Sequence, residues 1–68
     1  MELIKLIKKY MIDKGRDDFT IYLAEILGVT RQWASAKLNG RSEFTVPELK
    51  KLIDAFDFDA EELKNALI

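Results

Sequence analysis

Arg31 and Gln32 stand side by side just after Thr30, and between them they carry the hydrogen-bonding groups that read nucleic-acid bases. A guanidinium offers two parallel N–H donors, which match O6 and N7 of guanine, and a carboxamide matches N6 and N7 of adenine. Each such pair contributes roughly 1–3 kcal/mol of discrimination against a wrong base. Ala36, farther along, offers a methyl group for the methyl of thymine. Trp33 fits two roles: a DNA contact against sugar or a thymine methyl, or a core residue filling space beside the small Ala34. Ser35 has a hydroxyl for a phosphate oxygen. Lys37 and Arg41 are expected either as phosphate clamps or as plain solvated charges. Chemistry of other kinds lacks its parts. The chain has no histidine and no cysteine, which excludes the common zinc sites, a His-based triad and any disulfide. The acidic run Asp57–Glu62 lacks the glycine and alternating ligands of a calcium loop. No nucleophile–base pair or glycine-rich phosphate loop is present, so the expectation is no enzyme, no cofactor and no metal.

The elements that must position these groups are short helices. Thr20–Ser42 reads as a helix-turn-helix. Ala24 is small enough for two helices to cross closely. Gly28 follows where a positive φ ends a helix cheaply. Thr30 is a residue type that caps the next helix, and a reading helix presents its base contacts at its N-terminal end. Leu3, Leu6, Ile7 and Tyr10 recur at spacings of three and four, which predicts a first helix over about Glu2–Asp13. Asp17 or Asp18 is placed to cap a second, over about Phe19–Leu27, and the third covers about Arg31–Leu38. Thr45-Val46-Pro47-Glu48 has the pattern of a capping box, opening a fourth helix that turns Leu49, Leu52, Ile53 and Phe56 inward. Asp59-Ala60-Glu61-Glu62 repeats the pattern for a fifth helix ending in Leu63, Leu67 and Ile68. The expected fold is all-α, a compact five-helix bundle in one domain spanning 1–68.

The same residues resemble the lambda-repressor-like helix-turn-helix family, the Cro and repressor proteins of phages and their Xre-type bacterial relatives. The resemblance extends through Asn39-Gly40-Arg41-Ser42, Phe44–Leu49 and Phe56–Asp59, and so covers most of the chain. It implies a sequence-specific regulator of transcription that lays its third helix in the major groove of double-stranded DNA. It also implies that Thr20, at the start of the second helix, and Asn39 reach phosphates. Three features depart from the family's habit: Ala34 is smaller than the usual branched residue, Lys37 stands where a large apolar residue is common, and the link from Gly15 to Leu23 is longer than the family's short link.

The chain has 68 residues, enough for one core, and a formal net charge of −1. A basic total would suit nucleic acid better, but the charge is unevenly spread. Val29–Ser42 holds Arg31, Lys37 and Arg41 and no acid, whereas seven acids follow from Glu43 onward. Screening over about 8–10 Å makes the local face matter more than the sum. Lysines interrupt the first helix, so no signal peptide or membrane span is expected, and the expected location is the bacterial cytoplasm, on the nucleoid when DNA-bound. The expected partners are an operator and a second copy, in a weak homodimer formed on DNA through Phe58, Leu67 and Ile68. The alternative is a protein-interaction module on the same fold: an antirepressor, an antitoxin-like partner or an inhibitor.

Overall fold

The computed structural model describes residues 2–68. Five helices follow one another: α1 (Glu2–Asp13), α2 (Phe19–Leu27), α3 (Arg31–Leu38), α4 (Val46–Phe56) and α5 (Ala60–Leu67). No strand occurs among the described residues. The radius of gyration is 10.9 Å, which is what the size scaling of compact chains gives for this length.

Helix α1 is amphipathic, and Leu3, Ile4, Leu6, Ile7 and Met11 are buried from it. Leu3, Ile4, Ile7 and Met11 form one core with Leu23, Ala24 and Leu27 of α2, Ala34 and Leu38 of α3, and Leu52 and Phe56 of α4. α2 is the hub, packed against both α3 and α4, while α5 rests on α1. An aromatic group packs around Phe56 at the core. Tyr10 meets Phe58 edge-on with ring centroids 4.8 Å apart, and Tyr22 meets Phe56 at 5.9 Å.

Capping explains the helix starts. Thr45 Oγ1 accepts from the Glu48 N–H and Glu48 Oε1 accepts from the Thr45 N–H, so both halves of the capping box form, with Pro47 in the first turn. Asp59 accepts from the Glu62 N–H and starts α5.

Three expectations about packing are corrected. Asp18 precedes α2 but its carboxylate does not cap it, because Arg16 takes both oxygens at 2.8 Å. Ile53 is exposed, since Leu52 and Phe56 already fill the inward stripe of α4. Phe58, expected on a self-association surface, packs on Tyr10 and Phe56 instead. The exposed apolar end is therefore Leu67 and Ile68.

Candidate functional site

The segment joining α2 to α3 is three residues long, and its geometry follows from their types. Gly28 has φ 68° and its N–H donates to the Ala24 carbonyl, so α2 ends in a left-handed turn that glycine adopts without strain. Thr30 is extended, and its hydroxyl accepts from the Trp33 N–H at 3.2 Å. α3 thus begins abruptly, with Arg31 and Gln32 in its first turn and both side chains in solvent. Lys51 of α4 reinforces the turn by donating to the Leu27 carbonyl at 3.2 Å. Nothing in the sequence marks that bond, because the partners are 24 residues apart.

The far end of α3 is equally defined. Gly40 has φ 76°, the Arg41 N–H donates to the Ala36 carbonyl at 2.9 Å, and the Gly40 N–H donates to Lys37 at 3.2 Å. This pair of crossed bonds folds the chain back over the last turn of the helix. It returns Arg41 to the same side of the molecule as Arg31.

Thr20, Arg31, Gln32, Ser35, Ala36 and Arg41 line one shallow, open depression of about 570 Å³. On α3, Arg31 with Ser35 and Gln32 with Ala36 are spaced four apart, which puts all four on one face. No acid borders the depression. Among the described residues, no carboxylate lies within 4 Å of either arginine. The surface therefore offers two unneutralised guanidinium groups, a carboxamide, two hydroxyls and one methyl. By contrast, the depression between α1 and α5 is lined by Glu2 and Glu62 as well as Lys5 and Lys9.

The remaining three expected contact residues lie elsewhere. Asn39 is exposed at the end of α3, and its amide donates to the Ser35 hydroxyl at 3.3 Å, which ties it to the rim. Trp33 is 57% exposed and does not line the depression, so it is not a core residue. Lys37 is corrected outright. It is neither a phosphate clamp nor a solvated charge, being only 4% exposed. Its Nζ donates to Glu48 Oε1 at 2.8 Å and to the Glu43 carbonyl at 3.0 Å. It also lies 5.9 Å from the Trp33 ring centre and 5.6 Å from that of Phe44. Burial by itself would push the Glu48 carboxyl up, but the bonds from Lys37 and Thr45 outweigh it and hold the group below the usual carboxylate range.

Compared with protein-family models, with curated proteins and with solved structures, the chain matches none.

Proposed function

We propose that this chain binds double-stranded DNA in a sequence-specific way, with α2 and α3 acting as a lambda-repressor-like helix-turn-helix and α3 lying in the major groove. The observation that carries the reading is the acid-free depression, in which Arg31, Gln32, Ser35, Ala36, Arg41 and Thr20 meet. In this reading Arg31 and Gln32 contact base edges from the first turn of α3, and Ala36 lies one turn deeper against a methyl. Thr20, Ser35, Asn39 and Arg41 bond phosphates on either side and set the register. Lys37 makes no contact, so the phosphate grip is lighter than the sequence suggested, and non-specific binding is correspondingly weak. Regulation follows from occupying an operator that overlaps a promoter. A two-fold pair reads two half-sites about one helical turn apart, with Leu67 and Ile68 as the apolar surface available for pairing.

A second reading has its own support. Trp33 stands exposed outside the depression, and exposed tryptophan is enriched at protein–protein contacts. In that case the fold serves as an interaction module of the antirepressor or antitoxin-like kind.

Selection from a pool of randomised double-stranded DNA, followed by titration at several salt concentrations, separates the two. DNA binding predicts an enriched sequence and a log K that falls by about 0.9 per log salt for each phosphate contact. Arg31→Ala is expected to lose preference at one guanine per half-site. Arg41→Ala is expected to weaken all sequences alike and to flatten the salt slope by about one unit. A folded protein that retains no DNA at low salt refutes the DNA reading and leaves the interaction module.

A further inference from the structure

We infer that Lys37 and Glu48 form a joint that fixes the roll of α3 about its own axis, and that Lys37 is thereby a positioning residue for sequence discrimination while touching no DNA. The consequence for discrimination rests on the DNA reading above; the joint itself does not.

α3 is short, and it buries only Ala34, Lys37 and Leu38. It packs chiefly against α2. Contacts made through a methyl group and a leucine are non-directional. Lys37 lies about 100° around the helix from Leu38, so it supplies an anchor on a second side. That anchor is directional. Glu48 Oε1 is held in place by the Thr45 N–H at 2.8 Å while it accepts from Lys37 at 2.8 Å. The Glu43 carbonyl takes a second ammonium proton at 3.0 Å. One carboxylate oxygen therefore fastens the start of α4 and the roll of α3 together.

Stability does not account for a charge at this position. A buried ion pair replaced by apolar residues of like volume commonly leaves a protein as stable as before, or more so. Orientation does account for it. A roll of about 20° displaces a tip 5–6 Å from the helix axis by roughly 2 Å. The tolerance of a hydrogen bond is about 0.5 Å. Arg31 and Gln32, in the first turn of the same helix, are aimed by the same roll.

Lys37→Met is the test, because methionine fills the space and removes the ammonium. The parent, Lys37→Met and Glu48→Gln are compared on a duplex selected by the parent and on random duplex, and by residual dipolar couplings of the backbone amides without DNA. Lys37→Met leaves Glu48 without its ammonium and is expected to melt below the parent, and in its folded state to lose about tenfold or more in the ratio of selected to random binding while keeping the salt slope. Its α3 couplings are expected to fit a helix rotated relative to α2 and α4. Glu48→Gln keeps an acceptor for Thr45 and is expected to turn α3 in the same sense, which decides the matter if Lys37→Met does not fold. Unrotated α3 couplings in the folded variant overturn the joint. An unchanged binding ratio overturns the positioning role of Lys37 in discrimination. A salt slope flattened by about 0.9 with the ratio intact overturns it in favour of a phosphate contact. If the parent binds no DNA, the DNA reading fails, and the couplings alone decide whether the joint exists.

Discussion

Glu48 and Glu62 occupy the same place in the same local pattern, three residues after a capping threonine or aspartate, yet they do different work. Glu48 closes its own box and holds a buried lysine; the two side chains are 5% and 14% exposed. Glu62 leaves the box. Its carboxylate accepts from Lys9 and from the Tyr10 hydroxyl on α1, and the Tyr10 oxygen accepts the Asp59 N–H that a box glutamate would have taken. The Lys9–Glu62 pair is 57% and 35% exposed. A neighbouring helix with a hydroxyl in reach has turned a local cap into a tether between helices. The lesson is that the cap-x-x-Glu pattern starts a helix in both places, while burial and the nearest foreign donor decide what the glutamate is for.

The contrast is broken or upheld first by removing each carboxylate. Glu48→Ala leaves Lys37 buried without its counter-charge and opens the α4 cap. Stranding one member of a buried pair costs about 3–5 kcal/mol, comparable with the whole stability of a domain this small. The expected outcome in urea is a largely unfolded chain at neutral pH. Glu62→Ala is expected to keep a cooperative transition close to that of the parent, because water solvates what it leaves behind. Equal losses from the two substitutions would mean that burial does not separate the sites.

Acid titration sharpens the same point. Both carboxyls are held below the usual range in the folded chain, Glu48 by its bonds from Lys37 and Thr45 despite burial, and Glu62 by Lys9 and then Tyr10. A depressed folded value means that the stabilisation is complete above the unfolded value of about 4.3. It is lost as pH falls through the lower folded value. Glu48→Gln is therefore expected to be less stable than the parent at pH 6. The gap should close as pH falls below 4, because the parent's own carboxyl is then protonating. A gap that stays constant from pH 6 to pH 3, followed by urea midpoints, would show that shape rather than charge makes Glu48 matter.

How much of this was legible in the sequence depends on the range of the interaction. Apolar spacing and the residues Gly28, Thr30 and Thr45 act within a few positions, and they placed all five helices. The first-turn location of Arg31 and Gln32 follows from the Thr30 cap, so that part of the site was readable too. Lys37 was not, because its partners Glu43 and Glu48 belong to another element and only tertiary packing decides whether a lysine snorkels to water or is enclosed. The sign was there in retrospect: a small Ala34 three residues earlier and a lysine where an apolar residue was expected. Asp18 failed as a cap for a similar reason, since Arg16 offers a bidentate partner that outcompetes a backbone N–H. Trp33 was undecidable without the fold, because whether a tryptophan enters the core depends on tertiary packing.

The smallest effect is expected from Lys9→Met, and it tests the exposed half of the comparison most directly. Lys9 is bonded to Glu62, and that bond raises its own affinity for its proton. An exposed ammonium keeps most of its water, however, and ions of the medium screen it over about 8 Å at physiological salt. The substitution leaves Tyr10 still donating to Glu62 and accepting from Asp59, so the tether of α5 to α1 stays closed. The expected melting temperature equals that of the parent in 0.15 M salt and falls slightly below it only near 0.01 M, where the screening length grows to about 30 Å. The difference should vanish again at 0.5 M. A loss that persists at 0.5 M salt would mean that Lys9 holds Glu62 by geometry rather than by charge. The tether on α1 and the joint on α3 would then be two versions of one device, and the distinction drawn between them would fail.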